Sequence, residues 1–212
     1  MFIEAKNVSK FYNGQRVVDL KNFCVKKGES VSIMGNKGSG KTTLAKLIAG
    51  VGCCDCGQIL VDNVFAESYT KSVYLAQKSN LLEHHTLLEN MLIPLFLRGF
   101  SRFEAQAIAK EQLKVFGLLP FAEFYPCQAN KSVLRLISLA QIGLFDANLY
   151  IFDEPFLDID ATQRSFVYRY INSKRLEGNT VLICTNSFEE AEYLTERTVF
   201  LVSPKARSIN IA

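Results

Sequence analysis

Hydrophobic and polar positions change rhythm several times along the chain, and each change predicts an element. Phe2-Ile3-Glu4-Ala5-Lys6-Asn7-Val8 alternates apolar and polar residues, the period of a half-buried strand, and Asn13-Gly14 is a hairpin turn signal. Residues 1–30 therefore read as short strands joined by turns, with a second hairpin closed by Lys26-Lys27-Gly28-Glu29. Val31-Ser32-Ile33-Met34 is an apolar run of buried-strand type, and Leu44-Ala45-Lys46-Leu47-Ile48-Ala49 has helical spacing that stops at Gly50. Ile59–Asn63 reads as a strand and turn, and Ser72–Gln77 as a strand ending in a polar residue. From about Leu81 to Phe145 the period becomes helical. Ser101 and Glu104 form a capping box, Ala105, Ile108, Ala109, Leu113 and Phe116 make a core stripe behind it, and Gly117 stops the run. Met91–Phe100, with Pro94 inside it, fits equally an apolar patch for another subunit and a buried helix. Leu149–Glu154, Thr180–Thr185 and Val199–Val202 are continuous apolar runs, the pattern of fully buried strands.

Chemistry enters at the junction of the first buried strand and the first helix. Gly35-Asn36-Lys37-Gly38-Ser39-Gly40-Lys41-Thr42-Thr43 matches G-x-x-x-x-G-K-[ST], the phosphate-binding loop, and strand before and helix after are its required context. Its glycines let successive N–H groups turn inward toward phosphate oxygens, and the helix start adds its positive dipole end. In that role Lys41 reaches the β- and γ-phosphates and Thr42 holds Mg²⁺. The run Leu149-Tyr150-Ile151-Phe152-Asp153-Glu154 ends in two carboxylates, with Asp153 placed for the Mg²⁺ water shell and Glu154 for the general base. Tyr12, on the early hairpin, reads as an adenine-stacking ring or a packing aromatic, and Gln77 as an amide near the γ-phosphate or an exposed strand end.

Composition narrows the class. Apolar residues make up 49 % and charged residues 21 % of 212, a globular balance in one domain, and a formal charge of +3 is too small to argue for nucleic acid or an anionic membrane surface. The longest apolar runs fall short of a membrane span of about 20 residues, and charged residues from Glu4 onward lead us to expect no secretory leader. Any membrane association is therefore expected through a partner. Six cysteines suit buried thiols in a reducing cytosol. Cys53, Cys54 and Cys56 lack the second pair that a structural zinc site needs.

These elements, in this order and spacing, resemble the ATP-binding-cassette (ABC) ATPases, the motor subunits of ABC transporters, from about Phe2 to Ser208. The resemblance implies an α/β fold: a phosphate-loop NTPase core, an N-terminal antiparallel β-subdomain and an inserted α-helical subdomain at about residues 80–145 of a single 1–212 domain. It implies that Tyr12 stacks on adenine, that Gln77 senses Mg²⁺, the attacking water and the transmembrane partner, that Asp153 serves Mg²⁺, that Glu154 is the base, and that Asp160 lies in the loop crossing a dimer interface. The stretch Phe121–Pro126 looks like the lead-in to the family signature. Two positions depart from the pattern. Counted back from Asp153, the signature Leu-Ser-Gly-Gly-Gln falls on Ala129-Asn130-Lys131-Ser132-Val133, with no residue in agreement, and the switch histidine after the strand 180–185 is Asn186. Without the glycines the backbone is expected to approach a phosphate less closely. His84 and His85 stand too early to replace the switch. Asn130-Lys131-Ser132-Val133 begins like the guanine-reading Asn-Lys-x-Asp but has Val133 where Asp is required, which favours ATP over GTP.

The expectation is an ATP-binding subunit with ATP and Mg²⁺ as cofactors, hydrolysing slowly. It would pair with a second ATP-binding subunit as a homo- or heterodimer, dock on separate transmembrane permease subunits, use no nucleic acid, and sit on the cytoplasmic face of a membrane through those partners. The alternatives are an ATP-binding regulatory or structural cassette with little turnover, and a soluble ABC ATPase outside transport.

Overall fold

The computed structural model describes residues 1–204. The end of the family resemblance at Ser208 lies outside the described residues. Two compact units divide the chain: residues 1–74, 147–155 and 171 onward form one, and residues 75–146 and 156–170 the other.

The first unit begins with a long ribbon. β1 (Ile3–Tyr12) and β2 (Gln15–Val25) pair antiparallel and are longer than the sequence pattern suggested. Asn13 and Gly14 close them with φ of 49° and 73°, the two left-handed residues of a type I′ turn. β1 also pairs with β4 (Cys56–Val61), which turns at Asp62-Asn63 into the short β5 (Val64–Phe65), so the first sheet runs β2-β1-β4-β5. The second sheet runs β6-β7-β8-β3-β9, from β3 (Ser30–Met34), β6 (Ser72–Leu75), β7 (Leu149–Asp153), β8 (Thr180–Thr185) and β9 (Arg197–Phe200). The pairs β7·β8, β8·β3 and β3·β9 are parallel. β3, β7 and β8 are buried along their whole length, the two serines of β3 included. The expectation that the run 199–202 forms a fully buried strand is corrected: β9 is only partly buried and Phe200 stands exposed, since β9 closes one edge of the sheet.

The second hairpin expected at Lys26–Glu29 is corrected. β2 and β3 belong to different sheets, so this turn is a crossing between them. It is held locally, with the Lys26 N–H donating to the Glu29 carboxylate at 2.7 Å, and across the unit, with the Gly28 N–H donating to Thr180 Oγ1 at 2.9 Å. Three strands also shift: the one expected over 72–77 stops at Leu75, that over 149–154 stops at Asp153, and the last, expected over 199–202, runs over Arg197–Phe200. α1 (Lys41–Ile48) packs against strands of both sheets, and Leu44, Leu47 and Ile48 join Ile3, Val25, Ile33, Val61, Ile151 and Leu182 in one apolar core.

The second unit is helical: α2 (Leu87–Phe96), α3 (Arg102–Val115), α4 (Lys131–Ile142) and the first half of α5 (Arg164–Leu176). α2 and α3 each begin with a reciprocal capping box, Thr86 with Glu89 and Ser101 with Glu104. Pro94 sits inside α2 without breaking it. A proline has no N–H for the carbonyl four residues back, which is that of Asn90; the Gln141 side-chain amide of α4 donates to that oxygen at 2.9 Å and occupies the acceptor. The stretch Met91–Phe100 is helical as far as Phe96 and buried in part: Met91 and Leu95 are fully buried, while Phe96, Leu97 and Phe100 stand exposed. α6 (Phe188–Leu194) follows β8 in the first unit. No helix among the described residues is long and apolar enough to cross a membrane.

Candidate functional site

β3 delivers the chain into the glycine loop at the end of the parallel sheet, and α1 leaves from it. Gly40 caps α1 at φ 99°, and a Cβ there would stand 2.5 Å from the Val17 carbonyl oxygen of β2. A Cβ on Gly35 would meet the Leu201 carbonyl at 2.4 Å and Ser39 Oγ at 2.6 Å. Two glycines of the motif are thus required by the approach of neighbouring backbone as well as by their own conformation. The Ser39 N–H donates to Asn36 O at 3.0 Å, and the helical ladder begins only with Leu44 N–H to Gly40 O at 2.8 Å. The amides of Lys41, Thr42 and Thr43 precede that ladder, the position from which helix N-termini bind anions.

Lys41 is 7 % exposed and turned back into its own loop. Its ammonium donates to Gly35 O at 2.7 Å, to Asn36 O at 3.4 Å and to Asn186 Oδ1 at 2.6 Å, and stands 3.9 Å from Glu154 Oε1. The residue at the switch position therefore touches the loop lysine directly, a contact that the sequence reading did not find. β7 brings Asp153 to the same end of the sheet, fully buried, with Oδ2 accepting from the Tyr74 hydroxyl at 3.2 Å. Glu154 follows at φ 50°, in the left-handed region that a glutamate rarely adopts. Its N–H is tied to Cys184 O at 2.8 Å. Burial pushes the Glu154 carboxyl above its ordinary range, and the like charges of Asp153 and Glu190 add to this, against the Lys41 ammonium and the Asn186 N–H. A carboxylate held in that way is a stronger proton acceptor, which suits a base acting on water.

The donor set at this end of the unit is hard oxygen: the Thr42 hydroxyl in the first turn of α1 and the buried Asp153 carboxylate of β7, on which α1 packs. Oxygen donors with one carboxylate fit Mg²⁺ accompanied by waters and phosphate. Tyr12 ends β1 at 52 % exposure, with Lys10 Nζ 5.7 Å from the centre of its ring.

In the second unit Gln77 is exposed two residues beyond β6, and its carbonyl accepts from the buried Arg135 at 3.3 Å. The segment 129–133 starts α4. Asn130 is its N-cap, with Oδ1 accepting from the Val133 N–H at 2.8 Å. The residues at the altered signature positions differ in burial. Ser132 and Val133 are 2 % and 1 % exposed and point into the unit. The Ser132 hydroxyl donates to Gln163 Oε1 and accepts from the Asp160 N–H at 3.0 Å. Of the two positions that carry glycine in the resemblance, only Lys131 places a side chain outside. Sequence reasoning also missed Thr185 and Glu190, which are bonded to each other at 2.5 Å beside Asn186; the signal was Ser187-x-x-Glu190, a capping pattern at the start of α6.

The comparisons agree with this geometry. The family model described as ABC transporter matches residues 18–157. An uncharacterized ABC transporter ATP-binding protein of Methanocaldococcus jannaschii is 32 % identical over 97 % of this chain and 79 % of its own length. The glutamine transport ATP-binding protein GlnQ of Escherichia coli is 29 % identical over 94 % of this chain and 87 % of its own. Among solved structures, a dimeric ATP-binding cassette in a post-hydrolysis state bound to ADP and Pi superposes with a TM-score of 0.87 at 26 % identity, covering 94 % of each chain. A glycine loop and paired carboxylates at one end of a parallel sheet, flanked by an antiparallel sheet and matched along nearly the whole chain, place this protein: it belongs to the ABC transporter family, as an ATP-binding ATPase subunit.

Proposed function

We propose that this subunit binds Mg-ATP in the loop Gly35–Thr43 and hydrolyses it slowly, as one of two cassettes that drive separate transmembrane permease subunits from the cytoplasmic face. The observation that carries the reading is the buried Lys41 ammonium inside that loop, between a fully buried strand and a helix N-terminus. In this reading the amides of 36–43 and Lys41 receive the β- and γ-phosphates, and Tyr12 stacks on adenine. Thr42 and Asp153 would hold Mg²⁺, with Gln77 as a further sensor of the metal and the attacking water. When bound, Mg²⁺ supplies charge neutralisation at the phosphates. Glu154 takes the proton of the attacking water.

Replacing Lys41 with Ala removes the only cation inside the loop's described hydrogen bonds and should weaken Mg-ATP binding by at least ~10-fold, the scale of a charge-assisted contact. Calorimetry showing unchanged affinity would overturn the assignment of the loop.

The partner surface is proposed on the second unit. α2 and α3 border a cavity of about 540 Å³ whose wall includes Leu92, Ile93 and Phe96, with Glu89, Arg102 and Glu123 at its polar parts. Leu97 and Phe100, which follow Phe96 in the chain, are exposed apolar side chains at 84 % and 39 %. A cavity of this size, apolar within and charged around, suits an amphipathic segment of a permease. Phe96→Glu should release the subunit from its membrane complex while Mg-ATP affinity stays within about 2-fold, since the charge must be desolvated only in the complex. Undiminished co-purification of this variant and of Phe100→Glu with membranes would move the docking site elsewhere.

A further inference from the structure

The turn that carries Asn186 is closed by a modified helix cap. Ser187 is the N-cap of α6, and its hydroxyl accepts the Glu190 N–H at 3.3 Å. In a reciprocal capping box the glutamate would reach back to the N–H of the N-cap residue. Here it reaches past it. Thr185 donates its hydroxyl proton to Glu190 Oε2 at 2.5 Å, and the Ser187 N–H donates to that same hydroxyl oxygen at 3.1 Å. A threonine hydroxyl is inserted between the N-cap amide and the carboxylate.

Burial sets this arrangement apart from the other caps. Glu89 and Glu104 close the boxes of α2 and α3 in the exposed part of the surface, whereas Glu190 is 6 % exposed and Thr185 is fully buried. A buried carboxylate is costly to desolvate unless it is well bonded, and capping a helix does not require that burial. Its geometric consequence falls on the residue between the two pinned positions. Asn186 is exposed, yet its Oδ1 is 2.6 Å from Lys41 Nζ, across a sequence separation of 145 residues.

We infer that Glu190 is a positioning residue for nucleotide binding, acting through Thr185 to hold the Asn186 amide on the Lys41 ammonium. The inference rests on the proposed role of the loop 35–43. A lysine side chain loses rotamer freedom when it is fixed, and ordering it before the ligand arrives lowers the cost of binding. Asn186 does this as a neutral acceptor. It directs the ammonium without cancelling the charge that a phosphate would meet, which a carboxylate at the same position would do. Glu190 holds the amide in place from a buried point behind the turn.

The test measures binding of the slowly hydrolysed analogue Mg-AMP-PNP by calorimetry, so that no turnover enters the readout. Glu190→Ala should weaken binding by about 10-fold, the scale of one charged hydrogen bond. Glu190→Gln keeps an acceptor of the same shape and should restore affinity to within about 2-fold of native. Thr185→Val, which keeps volume and removes the hydroxyl, should weaken binding as Glu190→Ala does and serves if the alanine variant does not fold. In an Asn186→Ala background the further loss from Glu190→Ala or Thr185→Val should fall below about 2-fold, because the route runs through Asn186. Losses that add fully to that of Asn186→Ala, a Gln variant as weak as the Ala one, or unchanged affinity in both Glu190→Ala and Thr185→Val each overturn the inference. Lys41→Ala run in parallel separates the two ideas: if it weakens binding and the Glu190 and Thr185 variants do not, the phosphate loop stands and only the positioning role is lost.

Discussion

Glu154→Gln is expected to lower Mg-dependent phosphate release by about 10²–10⁴-fold, the usual contribution of a positioned general base, while Mg-ATP binding is retained. The substitution changes the chemistry and little else. The unusual φ of 50° at Glu154 and its N–H bond to Cys184 O belong to the backbone, and glutamine inherits both. Its carboxyl is raised in pKa by burial, and the neighbouring carboxylates of Asp153 and Glu190 act in the same direction. An amide there cannot take the proton of an attacking water. It also removes one of the negative charges at this end of the sheet, so affinity for the anionic nucleotide should hold or rise. Steady-state phosphate release together with calorimetry decides the matter. A glutamine variant that turns over at the native rate would show that the proton goes elsewhere.

The second large effect is a gain. Asn186→His combined with rebuilding 129–133 as Leu-Ser-Gly-Gly-Gln is expected to raise hydrolysis, by about 10²–10³-fold for each preorganised donor restored to the transferring phosphoryl group. In a head-to-tail pair of identical chains both sites carry Asn186 and the altered segment. In a mixed pair the two defects fall on different sites, so neither arrangement leaves a site complete. The order of reconstruction follows from the structure. Asn186→His and Lys131→Gly come first, because Lys131 is the residue at a signature-glycine position whose side chain stands outside. Ser132→Gly comes last, because it deletes a hydroxyl that bridges Gln163 and the Asp160 N–H. A rise at the first step followed by a fall at the last would identify Ser132 as a structural tie that this chain has acquired. Glu154→Gln is the blank throughout. A native chain that already turns over at ~1–10 s⁻¹, an ordinary enzyme rate, would refute the idea and make Asn130, Lys131 and Asn186 full replacements.

What the sequence by itself determined was whatever local rules encode. The loop Gly35–Thr43 needs glycines at fixed steps between an apolar strand and a helix, and all of that lies within one short segment. Unbroken apolar runs marked β7 and β8 as buried strands, though the same pattern failed for the edge strand β9, and the Ser101–Glu104 box and Gly117 marked the two ends of a helix. The carboxylates at the end of β7 were legible for the same reason. The misses are of another kind. The turn at Lys26–Glu29 has hairpin chemistry, but whether the strands beside it pair with each other is settled by which sheet each one joins. Pro94 lies inside a stretch that the sequence left open between a surface patch and a buried helix, and what accommodates it there, the Gln141 amide on the stranded Asn90 carbonyl, comes from a different helix. Lost glycines at 131 and 132 read alike, yet burial separates them: one side chain faces out, the other is drawn inward by Gln163. Asn186 read only as a missing histidine. That its side chain accepts from Lys41 required residues 145 apart in the chain to be brought within hydrogen-bond distance, and only tertiary packing does that; the Thr185–Glu190 bond beside it is local, but the burial of Glu190 is likewise decided by packing.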